Sequence, residues 1–275
     1  MNTLNTFRMD GRRAVVTGAA GLLGREFVAG LLDAGAHVAM LDAREEALAQ
    51  TLQWLPADQR VRASTFVCDI TNEQAVGTTV SAIAKAGDIH ALVNSAAIDP
   101  KFEPDASGAY ADDGRFPTYS LDNWMRSLQV NLTGTFLLTK AVCREMEKTG
   151  NGAVVMISST YGLTGPDQRI YERSDGGRRF WKPVDYSTTK AGVLGLSRAI
   201  AAYYRGTRIR VNALTPGGAF NGHDPEFTRN YSDRTILGRM AEPAEYRAAI
   251  VFLCSDASSY MTGSNLVIDG GWSAL

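Results

Sequence analysis

The chain is poor in cysteine: among 275 residues only Cys68, Cys143 and Cys254 occur. Three thiols so far apart exclude a disulfide framework and fit reduced side chains in a cytoplasmic protein. Histidine is equally scarce. His37, His90 and His223 share no metal-ligand spacing, so no metal is expected. No apolar run approaches the ~20 residues that span a bilayer, so no membrane association is expected. Met1–Arg13 has no apolar core of a secretory signal. Net charge is small as well. With 28 basic against 29 acidic residues it is −1, and nucleic acid is not an expected partner. Repeats, low-complexity tracts and linkers are also missing, which leaves one domain over residues 1–275. Apolar residues, at 45%, are sufficient for a large core.

What is present is an alternation of short apolar runs and helical patterns. Arg12–Thr17 reads as a buried strand, Gly18–Gly24 as a glycine-rich turn, and the stretch through Phe27, Leu31 and Leu32 as a helix ending at Gly35. Further strands are expected at His37–Leu41, Val61–Val67 and Asp88–Val93, with a helix over Asn72–Ala86. The order βαβαβαβ predicts an α/β fold, a Rossmann-type doubly wound parallel sheet of about seven strands. Later elements fit: a long helix over Leu121–Glu147, strands at Gly152–Ile157, Arg208–Leu214 and Asn265–Asp269, and a helix over Pro243–Cys254. Asn131 and Gly134 interrupt the long helix and predict a local distortion there.

Ligands of such sheets bind beyond the carboxyl ends of the strands. Glycines after the first strand permit a tight turn and close approach of a pyrophosphate to a helix N-terminus. Asp42 closes the second strand, 18 residues after Gly24, where an acid can bond the adenosine ribose hydroxyls. A carboxylate there repels a 2′-phosphate, which favours NAD; Arg44, two residues on, keeps NADP open. The plain alternative makes Asp42 a cap for the helix from Ala43 to Trp54. Tyr186 and Lys190 are four apart on the helix that follows Pro183 and so share one face. A nearby ammonium stabilises a phenolate, and such a pair can exchange a proton with a hydroxyl or carbonyl.

Two segments break the rhythm as lid-like insertions, near 100–118 and near 163–183. The second carries Arg169, Arg173, Arg178, Arg179 and Lys182 against Asp167, Glu172 and Asp175. That excess suggests an anionic substrate met by guanidinium forks, with Arg169 a substrate contact. A solvated loop touching nothing is the alternative.

Taken in order, Thr17-Gly18 to Gly24, Asp69, Asn94-Ser95-Ala96-Ala97, Asn131, Ser159, Tyr186-Ser187-Thr188-Thr189-Lys190, Pro216-Gly217 and Asp269-Gly270-Gly271 span nearly the whole chain. This series resembles the short-chain dehydrogenase/reductase family in its shorter, single-domain branch. The resemblance implies Tyr186 as general acid/base and Lys190 as the group lowering its pKa and holding the nicotinamide ribose. It implies Ser159, rather than Ser158, as the group orienting the substrate oxygen, and Asn131 as support for a water-linked proton path to Lys190. Gly18, Gly21, Leu23 and Gly24 would face the pyrophosphate, Asp42 the ribose, and Asp69 with Ile70 the adenine. Asn94, Ala96, Pro216, Gly217 and Ala219 would line the cofactor. Asn221 stands where the family often has a threonine on the carboxamide; it becomes a candidate contact to the substrate end of the site. Leu22 replaces a usual glycine, Ala97 another, and Ser159 and Tyr186 lie 27 apart, about twice the family separation.

The implied activity is reversible hydride transfer between nicotinamide and a secondary alcohol or ketone. Similarity to oxidoreductases of bacterial surface-sugar and flagellin modification implies a carbohydrate-like or phosphorylated small molecule. An NADPH-linked reductase of another carbonyl, such as an oxoacyl thioester, is the alternative enzyme. A cofactor-binding regulator or scaffold is the alternative from outside catalysis. The family also implies a homodimer or homotetramer.

Overall fold

The computed structural model describes residues 2–99, 114–178 and 180–275. Most of the first expected insertion, and Arg179 of the second, lie outside these residues. The first half alternates β1 (Arg13–Thr17), α1 (Leu22–Asp33), β2 (His37–Asp42), α2 (Glu45–Trp54), the one-turn α3 (Ala57–Arg60), β3 (Ala63–Val67), α4 (Glu73–Lys85) and β4 (Ile89–Asn94). The second half adds α5 (Leu121–Leu128), α6 (Thr135–Thr149), β5 (Asn151–Ile157), α7 (Val184–Tyr203) and β6 (Arg208–Pro216). It closes with α8 (Pro225–Ser232), α9 (Arg247–Cys254) and β7 (Asn265–Ile268).

Among the described residues the strands form one seven-stranded sheet, ordered β3-β2-β1-β4-β5-β6-β7, with every pairing parallel. Strand order reverses between β1 and β4, so the crevice beyond their carboxyl ends is the natural ligand site. Helices cover both faces. Phe27, Leu31 and Leu32 of α1 pack with Ile250 and Leu253 of α9 on one side. Val76, Val80 and Ile83 of α4 pack with Leu138, Val142 and Met146 of α6 on the other. Each such buried side chain contributes ~1.5–3 kcal/mol of transfer free energy, which is why the central strands read as continuous apolar runs.

Boundaries shift where local chemistry intervenes. β3 starts two residues later than expected because α3 occupies Ala57–Arg60, held by Arg60 Nε donating to the Leu55 carbonyl at 2.8 Å. β6 runs on to Pro216 because β7 pairs with it through Pro216 and Ile268. The expected long helix contains a π-helical stretch at Gln129–Gly134. Gly134 is required there: a Cβ would lie 2.7 Å from Ile70 Cγ1.

The described residues of 163–183 are built around a turn and a small hairpin. Gln168–Tyr171 makes a 3-10 turn, and Glu172 bridges Arg178 in antiparallel fashion across Gly176, whose φ is 81°. The hairpin docks on α8. Ser174 N donates to Glu226 Oε1 at 2.7 Å, Asn230 Nδ2 donates to the Ile170 carbonyl at 3.5 Å, and Tyr171 packs on Phe227 at 5.6 Å between ring centroids. Beneath lies an apolar cluster of Tyr161, Ile170, Tyr171, Tyr231, Met240 and Trp272.

Candidate active site

A cleft of about 1390 Å³ runs over the carboxyl ends of the strands. Its floor begins with the glycine-rich turn. Gly18 has φ 59°, and a Cβ on it would meet Ala96 Cα at 2.7 Å; one on Gly24 would meet the Gly18 carbonyl at 2.0 Å. Only glycine lets the β1 turn lie this close to the end of β4. Thr17 Oγ1 accepts from the backbone N–H of Ser95 and of Ala96, both at 3.1 Å, and so ties the two strand ends together. The N-cap of α1 is Gly21, which offers no capping side chain. The first N–H groups of that helix face the cleft beside Leu22, Leu23 and Gly24. An uncapped, glycine-walled helix N-terminus matches the needs of a pyrophosphate.

At one end of the cleft sits Asp42. Its Oδ1 accepts from Arg44 N at 3.1 Å and Arg44 Nε at 3.2 Å, and its Oδ2 accepts from Ala20 N at 3.3 Å. The residue before α2 is Arg44, not Asp42, so Asp42 does not cap that helix. Asp69 is held by Thr71, through N at 2.9 Å and Oγ1 at 2.8 Å, and Ile70 lines the cleft next to it. Asn94 donates to Thr139 Oγ1 at 3.0 Å, while its Oδ1 is buried without a protein partner.

At the other end α7 begins. Asp185 is fully buried and fixes this start: Oδ1 accepts from Tyr186 N at 2.6 Å, and Oδ2 accepts from Tyr119 Oη at 2.8 Å and from Ser127 Oγ. Tyr186 and Lys190 both face the cleft, with Lys190 Nζ 5.7 Å from the Tyr186 ring centroid and donating to the Ile157 carbonyl at 3.0 Å. Ser159 lines the cleft with Tyr186, and its hydroxyl accepts from Tyr161 N at 3.2 Å. Ser158 turns away, its hydroxyl donating to the Lys190 carbonyl at 2.7 Å.

The electrostatics differ from a simple lysine-lowered phenol. Tyr186 retains some exposure as a residue, but its phenol lies among protein atoms, and that burial pushes its pKa well above the usual range. The Asp99 charge adds to the rise, and the Ser159 hydroxyl opposes it. Burial also pushes the Lys190 ammonium down to about 8, against the raising effect of Asp99. The expected lowering of Tyr186 by Lys190 is therefore outweighed by desolvation.

The Asn131 amide braces the loop after β4 and the start of α7. Its Oδ1 accepts from Ile98 N at 2.8 Å, and its Nδ2 donates to the Ile98 carbonyl at 3.0 Å and to Thr189 Oγ1 at 3.1 Å. Pro216, Gly217 and Ala219 line the cleft, whereas Asn221 is exposed beyond it. Arg169 lies on the outer surface, clamped to Asp167 through Nε at 2.8 Å and Nη2 at 2.7 Å. Arg173 pairs with Asp175 and Arg178 with Glu172. Three of the insertion's basic residues are thus paired with its three acids, and Arg169 is not a cleft residue.

Sequence reasoning missed Asp99 and Lys182, which face each other over Tyr186. Lys182 Nζ donates to Asp99 Oδ1 at 2.5 Å and Oδ2 at 2.6 Å and lies 4.2 Å from the Tyr186 ring centroid. Signals existed: Lys182 stands four residues before Tyr186, and Asp99 directly follows the small residues after β4. Among the described residues no cluster of histidine, cysteine, aspartate and glutamate could hold a metal, and no helix is long and apolar enough to cross a membrane.

Comparison with known proteins places these features in context. A family model described as enoyl-(acyl carrier protein) reductase matches residues 18–273. The chain is 34% identical to a D-threitol dehydrogenase of Mycolicibacterium smegmatis over 97% of its own length and 94% of that protein. A short-chain type dehydrogenase/reductase from Mycobacterium marinum superimposes with TM-score 0.82 at 28% identity, covering 100% of both chains. A gluconate 5-dehydrogenase from Burkholderia cenocepacia, solved with NADP and tartrate, superimposes with TM-score 0.84 at 27% identity, again over 100% of both.

Proposed function

This chain belongs to the short-chain dehydrogenase/reductase family, and from that premise we propose that it interconverts a polyhydroxylated secondary alcohol and its ketone, with NAD as the hydride carrier. The observation that carries the reading is the meeting of Ser159, Tyr186 and Lys190 in the cleft that also holds the glycine cradle and Asp42. A D-threitol dehydrogenase and a gluconate 5-dehydrogenase among the similar proteins support a polar, hydroxylated substrate.

Gly18, Gly21, Leu23 and Gly24 would hold the pyrophosphate, Asp42 the adenosine ribose, and Asp69 with Ile70 the adenine. Asn94, Ala96, Pro216, Gly217 and Ala219 would line the nicotinamide side. When bound, the nicotinamide supplies or accepts the hydride. The protein handles the proton. Tyr186 keeps its proton at Oη near neutral pH, which prepares it to donate to a carbonyl oxygen; in alcohol oxidation that oxygen must first be freed of it. Ser159 Oγ, in the same cleft as Tyr186, would orient the reacting oxygen. Lys190 holds positive charge beneath the ring and relinquishes part of it near pH 8. Asn131 fixes the Ile98 backbone beside the site and would support the water-linked proton path to Lys190.

NAD is favoured because the Asp42 carboxylate stands at the ribose end and Arg44 is already paired to it at 3.2 Å. The three described thiols are all free and buried, which supports a cytoplasmic location. Leu121, Met125 and Phe136 on α5 and α6, with Tyr203 on α7, are large exposed apolar side chains and support a homodimer or homotetramer. Replacing Tyr186 by Phe tests the mechanism. Turnover should fall by ~10²-fold or more, while NADH still binds as tightly as to the wild type. Undiminished turnover refutes it.

A further inference from the structure

The Tyr186 ring has three charged neighbours, and only Lys190 follows from the usual reading of the cleft. The other two, Asp99 and Lys182, come from the end of the β4 loop and the end of the insertion. Their position is built rather than incidental. The Gln168 side chain grips the Lys182 backbone from both sides: Nε2 donates to the Lys182 carbonyl at 3.0 Å, and Oε1 accepts from Lys182 N at 2.9 Å. The Lys182 side chain is only 9% exposed, whereas that of Asp99 is 47% exposed. Both residues line the cleft.

We propose that Asp99 and Lys182 form a substrate-binding pair that selects uncharged polyols over the corresponding sugar acids. This rests on the polyhydroxylated-substrate reading above. An ammonium has three N–H donors. Lys182 gives two to Asp99, so one remains for a substrate oxygen. The Asp99 oxygens keep lone pairs that can accept from a substrate hydroxyl. Donor and acceptor therefore lie side by side over Tyr186, which is the complement of a hydroxyl that both donates and accepts. A carboxylate can only accept. It would meet a lysine already neutralised and an aspartate that repels it. Among the described residues the insertion's arginines, Arg169, Arg173 and Arg178, are paired with acids of their own, which argues against an anion trap.

The test compares matched pairs of four- to six-carbon alditols with their aldonates, D-threitol against threonate first, in the presence of saturating NAD. Wild type should favour the alditol of each pair in kcat/KM. Asp99→Asn, nearly isosteric, leaves Lys182 charged without its partner and should shift the alditol-to-aldonate ratio by ~10-fold or more toward the acid. Lys182→Met should raise KM for alditols ~10-fold or more, with the loss on KM exceeding that on kcat. Lys182→Arg should recover part of it. A purely structural role would lower kcat and raise KM for both members of a pair without moving the ratio, and that result overturns the proposal. So does a wild type that prefers the aldonates. Activity with an unchanged ratio in Asp99→Asn refutes the pair alone. A wild type that binds NADH yet turns over no member of the series refutes the parent reading, and the pair with it.

Discussion

If Asp42 selects NAD as proposed, Asp42→Ala should open the site to NADPH. In the structure the carboxylate is 8% exposed and receives three hydrogen bonds, one from Ala20 N and two from Arg44. It therefore cannot swing aside for a second anion without leaving those donors unpaired. Two unit charges ~5 Å apart repel by ~3 kcal/mol at the effective dielectric of a protein surface. A hydrogen bond from a ribose hydroxyl to a carboxylate contributes ~1.5–3 kcal/mol. Removing the carboxylate abolishes both effects and releases Arg44, whose side chain is 66% exposed and can then face a phosphate. Together these shift the NADH-to-NADPH affinity ratio by roughly 10³-fold. Screening lowers the figure at high salt. Titrating each reduced cofactor by its nicotinamide fluorescence, at fixed ionic strength, measures the ratio. Tighter NADPH binding by the wild type, or an unmoved ratio in Asp42→Ala, refutes the role given to Asp42.

Lys190→Met should be inactive but more stable near neutral pH. The native pKa of Lys190 is pushed down to about 8 from the ordinary 10.5, so between those values the unfolded chain holds the extra proton. Stability of the wild type thus rises with pH through that window and falls as pH drops through about 8. The variant lacks this rise and should gain ~1–2 kcal/mol at pH 7, once the lost bond to the Ile157 carbonyl is counted. Urea unfolding at pH 7 and 9.5 checks this, and a wild type with no greater rise than the variant sinks it. Gly134→Ala drives a Cβ to 2.7 Å from Ile70 Cγ1, so it should destabilise by ~1–3 kcal/mol and weaken NADH binding through Ile70. An unchanged Kd would show that Ile70 does not touch the cofactor. Arg169→Ala should leave KM within about twofold of wild type, because its guanidinium is committed to Asp167 on the outer face. A large rise in KM would return Arg169 to the site.

Much of the architecture was legible because buried parallel strands cannot disguise themselves. Val15, Val16, Leu92, Val93, Val154 and Val155 are fully buried, and such runs have few other homes. The π-helical stretch was visible in outline, since Asn131 and Gly134 break an apolar pattern, but its cause was not. Gly134 is needed by Ile70, which is 64 residues away in sequence, and only the fold reveals that contact. The charge of the insertion misled for a related reason. Counting arginines gives their number, not their partners, and Asp167, Glu172 and Asp175 proved close enough to engage them. The decisive acid, Asp99, lies in another part of the chain. Asp185 was similarly silent: a carboxylate at the start of a helix looks like ordinary dipole chemistry. Its bonds to Tyr119 and Ser127 show it anchoring the residue before Tyr186.

The bond from Ser158 Oγ to the Lys190 carbonyl has a wider consequence. It joins the end of β5 to α7 directly beneath the two residues that flank the insertion. Gly162 presses on the same carbonyl, where a Cβ would sit at 2.6 Å. The 26 positions between Ser159 and Tyr186 therefore form a loop whose base is already sewn shut. Doubling the length of such a loop costs only ~0.6 kcal/mol in closure entropy. Evolution can lengthen, shorten or replace residues 163–183 while the proton-transfer machinery stays in register. Because Lys182 in that loop stands 4.2 Å from the Tyr186 ring, a graft of residues 163–183 that keeps Lys182 should carry substrate choice with less disturbance of proton transfer than one that loses it.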